Sequence, residues 1–115
     1  MDICYPNPPH DVYDRLKSLY RSGDPIYTIQ NEARTVGFVY CSRHSKGGHL
    51  ESLAVDPDFR GHGLADRLVM ALLQDQAGII SLTTRIPKYF RRFGFQEWTQ
   101  LKDGSIFMLR DESAQ

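Results

Sequence analysis

Arg60-Gly61-His62-Gly63 stands directly ahead of Leu64, where a run of helical spacing begins. That arrangement suits an anion: the first amides of a helix have no acceptor within it, and glycine lets a ligand reach the backbone unobstructed. The loop therefore reads as a phosphate cradle. Just upstream, His49-Leu50-Glu51-Ser52-Leu53-Ala54-Val55 alternates as a strand does, and strict period-two alternation puts His49, Glu51, Leu53 and Val55 on one face. An imidazole titrates near 6.5, so that face offers one group able to take up a proton at neutral pH and a carboxylate beside it.

These residues need a strand, a turn and a helix, and the rest of the chain reads as their support. Ile3 to Tyr5 has room for a short strand before Pro6-Asn7-Pro8-Pro9 stops pairing. From Pro9, Val12, Leu16, Leu19 and Tyr20 recur at helical spacing, with Asp11 and Asp14 toward the positive end of the dipole and Lys17 and Arg21 toward the negative end. One amphipathic helix is predicted there, ended by Ser22-Gly23-Asp24-Pro25. Ile26–Gln30 and Thr35–Arg43 read as strands joined by the tight turn Asn31-Glu32-Ala33-Arg34. His44-Ser45-Lys46-Gly47-Gly48 reads as a flexible turn into His49–Val55, completing a three-stranded meander.

After Pro57 the period changes from two to about 3.6 residues, so that Leu64, Ala65, Leu68, Val69, Leu72, Leu73 and Ala77 share one helical face, and Gly78 suits the C-cap. Ile79–Thr84 is a compact apolar strand, and a strand-helix-strand crossover predicts that it runs parallel to His49–Val55. Pro87 opens a short helix through Phe93 that Gly94 closes. Phe95–Leu101 and Ser105–Arg110 form a final hairpin around Lys102-Asp103-Gly104, with a frayed tail after it.

A chain of 115 residues is expected to fold as one domain over 1–115, with a single core. Fourteen basic and fourteen acidic side chains cancel, so no overall field draws in nucleic acid or an anionic membrane, and any anion site must be local. No run approaches the roughly 20 apolar residues of a membrane span, and no secretory signal is legible, so a cytoplasmic protein is expected. Cys4 and Cys41 lack CxxC spacing and are expected as free thiols, with no metal site.

The order of elements, Arg60-Gly61-His62-Gly63-Leu64-Ala65, the preceding Leu53-Ala54-Val55-Asp56-Pro57, and Tyr89-Phe90-Arg91-Arg92-Phe93-Gly94-Phe95 together resemble the GNAT superfamily of acyl-CoA-dependent N-acyltransferases over roughly Ile26 to Arg110. The glycine signature of that family, Arg or Gln, two free positions, Gly, one free position, then Gly or Ala, is matched in full. The resemblance implies an α+β fold with a mixed, mostly antiparallel sheet of about six or seven strands flanked by about three helices. It also implies acetyl-CoA as cosubstrate and an amine acceptor, on a small molecule or a protein. The backbone of Leu53, Ala54 and Val55 would pair with pantetheine through a bulge or splayed strands. Arg60, Gly61, His62, Gly63, Leu64 and Ala65 would hold the pyrophosphate.

A lysine-like amine, with a pKa of about 10.4, needs a base. The run from His49 to Val55 is similar to the corresponding strand of serotonin N-acetyltransferase, where two outward histidines deprotonate the amine through water. His49 is thus the first choice as base and Glu51 the second. Many members place a tyrosine four residues before the glycine to protonate the leaving thiolate. This chain has Phe90 there, expected as a wall of the thioester channel. Tyr89 beside it remains the candidate acid, although adjacent helical positions differ by about 100° and core or rim is the preferred placement. Family members usually carry two helices between the first two strands, whereas Pro9 to Gly23 has room for one. The acceptor side is accordingly expected to be open, or completed by a second subunit in a homodimer. A catalytically weak acetyl-CoA-binding regulator that docks a partner protein is the rival function. His10, His44 and His62 are expected at the surface.

Overall fold

In chain order the strands are β1 (Ile3–Cys4), β2 (Ile26–Asn31), β3 (Arg34–His44), β4 (Gly47–Val55), β5 (Ile79–Thr84), β6 (Gln96–Gln100) and β7 (Ile106–Asp111). The helices are α1 (Leu64–Asp75) and α2 (Pro87–Arg91), and a 3₁₀ turn covers Pro57–Phe59. The computed structural model describes residues 3–4, 16, 20–21, 23–45 and 47–111. All seven strands lie in one sheet, in the order β1-β2-β3-β4-β5-β7-β6. Every neighbouring pair is antiparallel except β4 and β5, which the α1 crossover makes parallel as expected. The fold is the mixed α+β sheet read from the sequence, with two α-helices complete among the described residues. The helix expected over Pro9–Gly23 lies outside the described residues apart from Leu16, Tyr20, Arg21 and Gly23. Leu16 is helical and buried, and its carbonyl accepts from the Tyr20 amide at 2.8 Å.

The two faces of the sheet bury different sets. On one face Leu64, Leu68, Val69 and Leu72 of α1 pack with Tyr27, Ile29, Val39, Cys41, Leu50, Ile80, Leu82 and Met108. Leu68, Val69 and Leu72 are fully buried, each contributing ~1.5–3 kcal/mol relative to exposure. The close approach of α1 needs Gly37 on β3, where a Cβ would stand 3.2 Å from Leu68 Cδ1. On the opposite face Leu16, Ile26, Phe38 and Tyr40 form a smaller cluster. Tyr40 there donates to the buried Asp24 at 2.6 Å, and the Arg43 amide donates to the same carboxylate at 3.1 Å. Burial, and then that hydrogen bond, push the Tyr40 hydroxyl pKa upward.

Several boundaries differ from expectation: the short helix expected through Phe93 ends at Arg91, and two others are larger in consequence. Gly47 and Gly48, expected in a flexible turn, belong to β4 and pair with both β3 and β5. The cause is proximity: a Cβ at Gly47 would sit 1.8 Å from the Ile79 carbonyl oxygen. Helix α1 stops at Asp75, with Gln76 already extended and its amide donating to Leu72, two residues before Gly78 turns left-handed at φ 91°.

Candidate functional site

The phosphate-type loop is built by rigid local bonds. Asp56 accepts from the Asp58 amide at 2.9 Å and opens the 3₁₀ turn at Pro57, while its own amide donates to Val36 on β3. Arg34 pairs with Asp56 at 3.0 Å, so the turn is tied to the sheet from two directions. Gly61 and Gly63 then adopt φ values of 84° and 74°, a left-handed conformation that costs glycine little. A Cβ at either would meet nothing within 4 Å, so their lack of a side chain serves the backbone conformation and an unobstructed approach rather than packing. Gly63 caps α1 without a side chain, leaving the first amides of the helix facing the loop.

Val55, Phe59, Arg60, Gly61, Gly63, Leu64, Ala65 and Asp66 line a cavity of about 200 Å³ at this point. The Arg60 Nε donates back to the Val55 carbonyl at 3.0 Å, which holds the guanidinium at the strand end. His62 is exposed on the loop between the two glycines.

A second cavity of about 330 Å³ adjoins the first and is lined by Leu53, Ala54, Val55, Arg60, Ala65, Ile86 and Tyr89. It opens where the parallel ladder stops. Strands β4 and β5 pair only at Gly47–Ile79, Gly48–Ile80 and His49–Ser81, after which they part. The α2 side of this groove corrects an expectation. Phe90 is 6% exposed, packed edge-on against Phe95 within the main core, and it is not among the residues lining the groove. Tyr89 is the residue of that pair that forms the wall, together with Ile86.

The Tyr89 hydroxyl donates to Asp66 Oδ1 at 2.8 Å, and Arg92 reaches the same carboxylate at 3.0 Å while stacking over the Tyr89 and Phe93 rings. Burial, then the Asp66 hydrogen bond, raise the Tyr89 pKa above that of an ordinary phenol. The same hydroxyl, followed by Arg92, holds the Asp66 carboxyl below the usual carboxylate range.

On the sheet face away from α1, polar groups gather where β4 and β5 part. Strict alternation along β4 does not hold. Tyr40 pairs with Ser52 and Cys41 with Leu50, so Glu51 is an extra residue in a β-bulge. The bulge shifts the alternation: Leu50, Leu53 and Val55 all pack with the α1 face, and Ala54 with the opposite cluster. His49, paired with Ser42, therefore lies on the face opposite Leu53 rather than beside it.

Glu51 is brought to that same side by a hydrogen bond from Ser42 Oγ at 2.8 Å. Ser42 also lies 3.3 Å from Nε2 of the exposed His44. The half-buried His49 has its Nδ1 2.7 Å from Ser81 Oγ and its ring stacked on Phe107. Beneath them Cys41 is a buried free thiol, its pKa pushed up to about 11 by burial, which makes it a poor nucleophile.

The sequence reading did not single out Ser42, Ser81, Asp66 or Ile86. A hydroxyl inside the apolar run Ile79-Ile80-Ser81-Leu82 was the available sign for Ser81. Among the described residues no helix is long and apolar enough to cross a membrane.

The profile of the acetyltransferase (GNAT) domain family matches residues 22–97. Among solved structures, the ribosomal-protein-S18-alanine N-acetyltransferase of Escherichia coli aligns with a TM-score of 0.73 at 20% identity, covering 85% of this chain and 75% of that one. The Mycobacterium tuberculosis protein Rv2747, solved in complex with CoA, aligns with a TM-score of 0.66 at 20% identity over 75% of each chain. An acetyltransferase from Bacillus cereus aligns at 0.69 and 16% identity, over 94% of this chain and 96% of that one. Comparison with curated protein sequences gave no match. With the glycine loop at a helix start, the parted strands and the family match over most of its length, the chain belongs to the GNAT superfamily of acyl-CoA N-acyltransferases.

Proposed function

We propose that the protein transfers an acetyl group from acetyl-CoA to a primary amine by direct attack within a ternary complex. The observation that carries this reading is the end of the β4–β5 ladder at His49–Ser81, with His49 and Glu51 on one side of the sheet and the groove along Leu53–Val55 beyond it. Pantetheine would lie along Leu53–Val55 as an added strand, with the pyrophosphate on the amides of His62–Ala65 and Arg60 adding charge. His49, with Glu51 as the alternative, takes a proton from the ammonium through water. The freed nitrogen then attacks the thioester carbon, and backbone N–H groups near Val55 steady the oxyanion. As the C–N bond forms the C–S bond breaks. The thiolate, with a pKa near 8.5, leaves, and the second proton, shed by the acetylated nitrogen, reaches it through water. Tyr89, whose hydroxyl is engaged by Asp66, acts as a groove wall in this scheme rather than as the acid.

Release of free CoA across an amine panel tests this in wild type, His49→Ala and Glu51→Ala. Loss of the base is expected to lower kcat by about 10²- to 10⁴-fold. Unchanged rates in both variants would remove the assignment.

A second reading, an acetyl-CoA-binding regulator that docks a partner protein, is favoured by the engagement of Tyr89 and the burial of Phe90. Together these leave no described side-chain acid at the groove. It predicts that acetyl-CoA at about 100 times its Kd stabilises the fold by ~2.7 kcal/mol while no amine is turned over.

A further inference from the structure

We propose that Ser81 is a positioning residue for the amine-deprotonating step, holding the His49 imidazole so that its Nε2 is free toward the acceptor side. This rests on the reading of His49 as the base. A histidine accepts a proton at Nε2 only if Nδ1 already carries a hydrogen, and the partner of Nδ1 decides that tautomer. The one described polar atom at Nδ1 is Ser81 Oγ, 2.7 Å away; a hydroxyl can accept from an Nδ1–H or donate to a bare Nδ1, and the first arrangement, which leaves Nε2 open to a proton, is the one proposed. With Nδ1 turned to β5, ring geometry turns Nε2 away from it. Phe107 lies nearly parallel to the imidazole, 14° off plane with the ring centroids 6.4 Å apart.

The place of this contact in the fold gives it its force. His49–Ser81 is the last rung of the parallel ladder, at the apex from which β4 and β5 part. Ser81 is also held from its other side, where it pairs with Leu109 of β7. Its hydroxyl therefore rides on a strand bonded along both edges, the kind of support that keeps a reacting group within a fraction of an ångström. Glu51 has no equivalent: it is exposed at a bulge, and its partner Ser42 belongs to β3.

The test uses the whole chain labelled with ¹⁵N-histidine, in wild type, Ser81→Ala and Ser81→Thr. The His49 signal is identified by its loss in His49→Ala. In wild type the nitrogen shifts are expected to report the Nδ1–H tautomer, and in Ser81→Ala a shift toward Nε2–H. Turnover of an amine should show kcat lowered on the order of 10- to 100-fold in Ser81→Ala, with KM for acetyl-CoA unchanged and Ser81→Thr restoring both readouts. The same tautomer in wild type and Ser81→Ala would overturn the assignment, as would a loss confined to the KM for acetyl-CoA. Because the tautomer is read without turnover, it decides the role of Ser81 separately from the base. An unchanged rate in His49→Ala would instead remove His49 from the chemistry.

Discussion

Asp66 shows how one side chain serves two neighbours. It stands in the first turn of α1, beside the loop proposed for pyrophosphate, where a bare carboxylate would repel an incoming phosphate. Tyr89 donates to one of its oxygens and Arg92 to the other, which blunts that repulsion and fixes the groove wall. Its carboxyl is held below the usual range, chiefly by the Tyr89 hydrogen bond. A carboxylate with a folded pKa below its unfolded value of about 3.9 stabilises the fold above that value and loses its contribution as pH falls through the folded pKa. Asp66→Asn is therefore expected to be less stable than wild type at pH 6. The gap should narrow as both are acidified toward pH 2, because wild type then carries a neutral carboxyl too. Urea midpoints at pH 6, 4, 3 and 2 check this. The Arg92 component is exposed and should account for less than about 1 kcal/mol of the gap. At this scale the sequence reading chose the adjacent residue: the rotation of a five-residue helix depends on what its aromatics pack against. Phe95 draws Phe90 into the core and leaves Tyr89 at the groove.

Strand β4 carries His49, Glu51 and Leu53–Val55, for which roles are proposed, and its geometry depends on absent atoms. Gly47 lies so close to β5 that Gly47→Ala would drive a Cβ into the Ile79 carbonyl. Destabilisation of about 3 kcal/mol or more is expected, with loss of the His49–Ser81 rung two residues away; urea unfolding and amine turnover measure the two effects. Leu68→Ala, by contrast, opens a cavity under the same sheet and should cost ~2–5 kcal/mol, while leaving the order of amine preferences unchanged. The change of period at Pro57 and the apolar strand after α1 are enough to read the parallel crossover from the order of residues alone. The Glu51 bulge was not legible in this way. Alternation assumes an uninterrupted ladder, and an extra residue is set by pairing with Tyr40 and Cys41, more than nine positions upstream. The expectation that His49 and Glu51 share a side is met because the bulge turns Glu51 toward Ser42, whereas the expected alignment with Leu53 is lost.

Taken as a whole, the molecule concentrates its polar chemistry at one seam. With equal numbers of acidic and basic side chains, it holds Arg60 and the first amides of α1 at one end of that seam and His49 and Glu51 at the other. The three rungs between β4 and β5 also have a mechanical meaning. The sheet consists of a four-stranded leaf, β1 to β4, and a three-stranded leaf, β5 to β7, joined by the short ladder, with α1 packed chiefly on β2, β3 and β4. With only three rungs joining them, the leaves are expected to open as separate units without ligand, their amides exchanging with deuterium at two distinct sets of rates. A molecule lying between the leaves along Leu53–Val55 would act as a missing strand. Saturating acetyl-CoA is then expected to slow exchange in both leaves and bring the two rates together, as hydrogen exchange read strand by strand would show. Convergence would mean that a bound cosubstrate bridges the two leaves as well as entering the reaction, and that the sheet opens as one unit only while it is charged.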